Sequence, residues 1–367
     1  MSNRKHLSLR LLLVAFFLLL AAMIVAGLRP FNFMPPNRVQ WLSNEPGLYF
    51  DGLGIAYTDG ARSISRMKAV SVELLLKERF GSRNWGPREI FSFHDGAASP
   101  SLLVGQWGGR IFVYSRLERN EGDEWYRLFR TKDRFPRGEA HLVTVTFGEG
   151  EKSIYIDGRL SARKKVDISD PANIEFSGRL LLGNSPRGKQ GWWGEIKGLA
   201  VYNRVLPREE ILTHSVKVSR KDMGVLAKTP NCLALYPFNE GEGNAVKSIS
   251  GGPRPFHIPA SRNALATTLL SLPHKDMRSN SRYVKDFLNN IIFFVPFGIL
   301  LTTIILRTYA VTYLPTFLIV TLAGGLLSSV IEVLQLFLPT RTPGLADIFG
   351  NVLGSGLGTL SAFTLKN

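Results

Sequence analysis

Cysteine is all but missing from this chain: Cys232 stands alone among 367 residues. An intrachain disulfide is therefore excluded, any exported part must be held by its core alone, and a lone thiol in an apolar stretch reads as structural rather than reactive. Histidine is scarce as well, and His94, His141, His214 and His257 stand at irregular spacings that give no metal-ligand set. Acids are outnumbered, 29 against 45 lysines and arginines, for a net charge of +16. Charge of either sign disappears from four stretches. Residues 11 to 28, LLLVAFFLLLAAMIVAGL, are 18 uncharged positions; the gap from Asp286 to Arg307 holds 20, that from Arg307 to Glu332 holds 24, and that from Asp347 to Lys366 holds 18. Each is about what one helix needs to cross a hydrocarbon core of roughly 30 Å.

The first run exceeds the roughly 7 to 15 residues of a signal-peptide core and no A-x-A site follows, which points to an uncleaved anchor. The pattern predicts a four-span membrane protein, with a first segment 1–28 and later helices over 287–306, 310–338 and 346–365. Arg4, Lys5, Arg10, Arg307 and Lys366 flank short segments on one side of such an arrangement, so both termini are expected in the cytoplasm. The Arg341 loop and the long segment between the first two spans then face outward from the cytoplasmic (inner) membrane. That long segment carries 39 of the basic residues against 27 acids, and long segments cross largely regardless of charge. Its excess suits anionic lipid headgroups or acidic glycans as partners; nucleic acid is a poor match for an outward domain.

Residues 29–262 have the punctuation of a folded extracytoplasmic domain, followed by a linker over 263–286 and the helical region 287–367. From residue 70 to 205 short apolar runs alternate with turn clusters, as in AVSVELLL, EIFSFHD, SLLVGQW, GRIFVYSR and AHLVTVTF, an all-β signature. In SIYIDGRL the Asp157-Gly158 pair between alternating residues predicts a two-residue hairpin turn. The segment GWWGEIKGLAVYNRVLPREEILTH, residues 191–214, with HLVTVTFGEGEKSIYIDGRL before it, resembles the closing part of laminin-G-like, concanavalin A-like jelly rolls, and the resemblance covers roughly residues 48–215. It implies a two-sheet sandwich whose members often bind glycans or protein partners, some through calcium. Where many relatives carry Ile-Asp, this chain has Ile196-Lys197, so no calcium or other metal site is assigned. Trp107 and Trp192 are the candidates for stacking on sugar faces; core packing is the other reading of both. A second stretch, CLALYPFNEGEGNAVKSISG, residues 232–251, looks like the opening of such a sandwich placed after its end, and too little chain follows for a second one. It is expected to add a last strand in permuted order, with Glu240 and Glu242 solvated.

DFLNNIIFFVPFG, residues 286–298, and EVLQLFLPTRTPGLADIFGNVLGSGLG, residues 332–358, place an acid, amides, a base and a second acid within the most apolar third of the chain. Glu332 and Gln335 share a helix face, and Asp347, Asn351, Gly354 and Gly358 follow steps of four, three and four along another. A lone carboxylate in hydrocarbon costs at least a few kcal/mol, so both stripes should face inward. Glycines let helices approach closely, and Pro296 frees a carbonyl. Together with the first span and the LRPFNF that follows it, these motifs resemble the VanZ-like family of small membrane proteins; Asn290, Phe294, Pro296, Phe297, Gly298, Glu332, Gln335, Arg341, Asp347, Asn351, Gly354 and Gly358 match its pattern. The chain is thus expected to be a membrane α-helical bundle with a concanavalin A-like jelly roll inserted between helices 1 and 2.

Two readings of the polar residues stand open. In one, Asn290, Glu332, Gln335, Arg341, Asp347 and Asn351 form an intramembrane pocket for the headgroup of a lipid or lipid-linked glycan precursor, with Arg341 on the anion, while Pro296, Gly298, Gly354 and Gly358 serve packing. In the other the same groups bind helices to one another. The VanZ-like resemblance implies envelope biology, including tolerance of the glycopeptide teicoplanin, rather than a reaction, and no cofactor is implied. An outward sandwich would bind a polysaccharide or an envelope protein. The rival is an enzyme on a lipid-linked saccharide with Glu332 or Asp347 as general acid or base; a third reading is a structural scaffold.

Overall fold

The computed structural model describes residues 2–58, 64–79, 86–95, 99–117, 129–166, 175–218, 223–250, 254–262, 281–338, 341 and 343–365. Linker residues 263–280 and the flanking Lys366 lie outside them. The chain divides into two compact units, Pro35–Arg262 on one hand and Met1–Met34 with Asn263–Asn367 on the other.

The first unit is a sandwich of two antiparallel sheets. One runs Gln40–Trp41, Leu48–Asp51, Trp193–Tyr202, Val70–Glu78, His141–Gly148, Glu151–Ile156 and Arg159–Lys165, with Cys232–Tyr236 also paired to Trp193–Tyr202. The other runs Ala245–Val246, Phe256–His257, Ala56–Thr58, Phe176–Leu182, Arg88–His94, Leu102–Trp107 and Arg110–Tyr114, with Ile64–Met67 alongside Phe176–Leu182. Period-2 alternation points one side chain of each pair inward. Leu48, Phe50, Phe93, Val143, Phe147, Phe176, Ile196, Leu199 and Phe256 form a single core with no disulfide. Asp157 and Gly158 take φ of 48° and 76°, the left-handed pair a two-residue hairpin requires. The 232–251 stretch does return to the same sandwich, giving one strand to each sheet. Glu240 accepts the backbone N–H of Lys247 at 2.7 Å, and Glu242 is exposed.

The helix α1 (Ser2–Leu28) belongs to the other unit, whereas α2 (Arg208–Val218) lies across the outer face of the first sheet. Its Ile211, His214 and Val218, spaced by one and two turns, are the buried ones. Beneath it the buried Glu73 accepts from Tyr202 Oη and His214 Nδ1, each at 2.9 Å, and from Thr144 Oγ1 at 3.1 Å. A charge under a helix is tolerable because three donors replace its water.

Glu89, on Arg88–His94, is buried, and among the described residues its Oε2 has no hydrogen-bond partner. Burial pushes its carboxyl from about 4.5 up to about 8. The folded state therefore holds a proton that the unfolded chain has lost between those values, so stability falls as pH rises from about 4.5 to about 8. Glu89→Gln is expected to flatten that slope and to raise stability at pH 8 and above by several kcal/mol, up to roughly 5. All six tryptophans lie between residues 41 and 193, so their fluorescence during urea unfolding reads the sandwich alone in the full chain.

The second unit packs α1 with α3 (Ser281–Thr308), α4 (Tyr313–Gln335) and α5 (Leu345–Thr364). Leu9–Leu28, Val284–Thr308 and Tyr313–Gln335 are long and apolar enough to cross a membrane. α5 has the length, 20 residues, but its Gly, Ser, Thr, Asn and Asp content places it outside that group. α3 starts six residues before the expected 287 because polar Arg282, Lys285 and Asp286 continue the helix, and α4 stops three short of 338 in a turn. Met23 of α1 is buried against Phe294 and Phe297 of α3, with Ala323 and Leu327 of α4 beside them.

Candidate functional site

Helix contact in the second unit is closest between α3 and α5, and glycine is the reason. A Cβ on Gly354 would stand 2.2 Å from the carbonyl oxygen of Ile291, one on Gly358 2.2 Å from that of Val295, and one on Gly298 2.3 Å from that of Ser355. Backbone meets backbone along the stripe that the four-residue spacing predicts. Pro296 sits inside α3 in the same stretch, and the helix continues through it.

The polar residues gather around this seam in three ties. Asn290 Nδ2 of α3 donates to Asp347 Oδ1 of α5 at 2.7 Å. Asn351 Nδ2 of α5 donates to Ser328 Oγ of α4 at 2.8 Å, both side chains being buried. The third tie collects at the carboxyl end of α1. Glu332, 4 % exposed, accepts the backbone N–H of Gly344 at 2.9 Å and so fixes the residue that opens α5. Gln335 Nε2 donates to the carbonyl of Gly27 at 2.9 Å. Arg341 donates to the Arg29 carbonyl through Nε at 3.1 Å and Nη2 at 2.9 Å, and to that of Ala26 at 3.4 Å. Carbonyls at a helix end lack intrahelical partners, and a cation there also meets the negative end of the dipole. Met34 N–H adds a bond to the Phe337 carbonyl at 3.1 Å.

Among the described residues, Asn290 with Asp347 is the one hydrogen bond joining two of the six expected pocket residues; the others reach main chain or Ser328. Asn351 Oδ1 is buried without a hydrogen-bond partner among the described residues. Ser328 is not among the polar residues expected from the sequence, although it lies one turn before Glu332 on the same face, the spacing that signals it. Gly27, Arg29 and Gly344 take part through backbone atoms, for which side-chain identity gives no signal.

In the sandwich, Trp192 is a correction. It is 1 % exposed, donates from Nε1 to Gln106 Oε1 at 2.7 Å and sits in the core, so it offers no face to a sugar. Its neighbour Trp193 points the other way, under the Arg88 guanidinium at 5.3 Å. Trp107 is half-buried with the Arg130 guanidinium 5.7 Å from its ring. Lys197 is buried with Nζ 2.5 Å from Glu45. Burial lifts the Cys232 thiol to about 11, which suits a structural thiol.

Residues 232–366 match the family described as VanZ/LLP1, and residues 71–212 match the concanavalin A-like lectin/glucanases superfamily. No curated protein matches the chain. Among solved structures, a Bacteroides ovatus protein provisionally described as carbohydrate binding shares 12% identity over 60% of this chain, with a TM-score of 0.44; the chain spans 59% of that structure. A heptameric SAP-like pentraxin from Limulus polyphemus shares 12% identity over 48% of this chain and 80% of its own, with a TM-score of 0.35. A mutant of Trypanosoma rangeli sialidase displaying trans-sialidase activity shares 14% over 51% of this chain and 30% of its own, with a TM-score of 0.39.

Proposed function

We propose that this membrane protein, which joins a VanZ-like region to a concanavalin A-like domain, anchors a glycan-binding sandwich on the outer side of the cytoplasmic membrane. The bonds at the end of α1 carry the reading. Gln335 and Arg341 reach back across 308 and 312 positions to Gly27 and Arg29, so α1 belongs to the bundle although the sandwich intervenes in sequence. The sandwich's own ends also lie side by side, Arg262 N–H donating to the Pro35 carbonyl at 2.8 Å and Asn37 N–H to that of Ala260 at 3.0 Å. Both features suit a domain inserted between the first two spans. α5 serves as the fourth span: Phe349, Leu353, Leu357 and Leu360 are exposed along one side, where acyl chains would cover them, while Asn351, Gly354, Ser355 and Gly358 turn inward.

Asp347 and Glu332 both accept bonds that hold helices in place, which supports anchoring over acid or base catalysis. One observation favours a further role for the bundle: among the described residues Asn351 Oδ1 has no hydrogen-bond partner, and a lipid headgroup or lipid-linked wall precursor that entered between the helices would meet it with a donor. Glycopeptide tolerance would be the phenotype of that second reading.

Thiol labelling tests the placement. In a Cys232→Ser background, Glu242→Cys should react with an impermeant maleimide in right-side-out vesicles, and Arg307→Cys only after permeabilisation; both positions are exposed. The reverse pattern removes the proposal. A glycan array probed with the detergent-purified full chain tests binding, and failure on every glycan would move the sandwich to a protein partner.

A further inference from the structure

We propose that the sandwich binds an anionic sugar in a groove of about 540 Å³ lined by Gln40, Trp41, Asn44, Glu45, Tyr49 and Arg79; this rests on the reading of the sandwich as a glycan binder. The volume lies within the range of small-ligand sites. Neither tryptophan singled out in the sequence lines it.

Register explains how the groove is built. Glu195 stands opposite Tyr49 on one neighbouring strand and opposite Lys77 on the other, so these three side chains share a face. The next position inward, Leu48 with Ile196 and Leu76, belongs to the core. The groove therefore lies on the outer face of the first sheet.

Its polar groups are fixed from beneath. Glu195 is fully buried and takes the Nε of Arg79, whose side chain is 50% exposed. A buried carboxylate is costly unless it orders a partner. Here it pins a planar fork by one edge and sets the direction of the terminal nitrogens, the geometry that receives a carboxylate or phosphate. Glu45 is likewise held by Lys197 Nζ at 2.5 Å, Lys197 itself being buried. Lys77, Arg79 and Lys197 against Glu45 and Glu195 leave one positive charge in excess.

The rest of the lining suits a pyranose. Trp41 stands opposite Leu48, so its ring turns to the core, where its Nε1 donates to the Gly243 carbonyl at 2.8 Å and fixes the strand that carries Gln40. Tyr49, opposite Gln40 on the outer face, supplies the ring, and the amides of Gln40 and Asn44 can donate to and accept from hydroxyls. One aromatic face, amides and one oriented cation match a saccharide bearing a carboxylate or phosphate, the two sources the test separates.

Calorimetry on the full chain in detergent would compare trigalacturonate, its methyl ester and a phosphomannose trisaccharide. The free acid or the phosphorylated sugar should bind about tenfold or more tighter than the ester, the value of one charge-assisted hydrogen bond. Arg79→Lys keeps a cation beside Glu195 and removes the fork; the preference should fall to within about threefold, with the urea midpoint by tryptophan fluorescence unchanged. Tyr49→Ala should weaken charged and uncharged sugars alike. Equal affinity for acid and ester, or a preference that survives Arg79→Lys, overturns the groove while glycan binding stands. No binding of these or of any arrayed glycan overturns both.

Discussion

Gly354→Val, and equally Gly358→Val, is expected to remove most of the protein from the membrane. The new side chain would enter space already held by the Ile291 or Val295 carbonyl, at 2.2 Å from its Cβ in either case. A side chain can rotate out of a clash; a carbonyl within a helix moves only with the helix. Overpacking of this kind costs about 1 to 3 kcal/mol at an ordinary site and more where the obstacle is backbone. Lipid offers no hydrophobic gain to hold separated helices together, so the loss falls directly on the α3–α5 seam. Gly356→Ala is the control on the other side of α5. Its Cβ would meet Thr321 Cγ2 at 3.3 Å and the Phe317 ring at 3.4 Å, groups that can yield. Immunoblots of membranes with size-exclusion of the extracted protein should show Gly356→Ala near the parent level and Gly354→Val reduced severalfold. Equal accumulation of the two would mean that α3 and α5 do not meet along these glycines.

The contrast explains what the sequence could and could not disclose. The α5 stripe was legible because Asp347, Asn351, Gly354 and Gly358 recur at helical spacing, and the structure packs Gly354 and Gly358 on α3. Sheet elements were legible from alternation, and the Asp157-Gly158 turn from its demand for positive φ. The choice between Trp192 and Trp193 was not. Period two says that neighbours point oppositely, yet only the sheet register decides which of them enters the core. The Arg79 groove escaped for a related reason: Gln40 to Glu45 shows no alternation, and Glu195 and Lys197 reach it from strands distant in sequence. The pocket residues were found as types, but most of their partners are main-chain atoms. Where Gly27, Arg29 and Gly344 come to stand depends on how the chain turns, not on what those residues are.

The second large effect is expected at Glu332. Its carboxyl oxygen accepts the N–H of Gly344 in a buried setting, and Gly344 is the residue from which α5 begins. Glu332→Leu would leave that N–H without its acceptor and deprive α4 of its hold on the opening of α5, a loss of about 1 to 3 kcal/mol for a buried donor left unsatisfied. Glu332→Gln keeps an acceptor oxygen on a side chain of nearly the same shape, so the bond to Gly344 can persist. The pair of variants therefore separates holding from chemistry. A bundle tied by bonds from side chain to backbone needs only the acceptor, whereas an acid or base in catalysis needs the ionisable group. The direct measurement is the thermal stability of the full chain in detergent for the parent, Glu332→Gln and Glu332→Leu, read from loss of the monodisperse peak on heating. Parent and Glu332→Gln should lose it together, with Glu332→Leu failing several degrees or more below them. If leucine is tolerated as well as glutamine, the bond from α4 to the opening of α5 holds nothing, and the side-chain ties described here are not what keeps the bundle together.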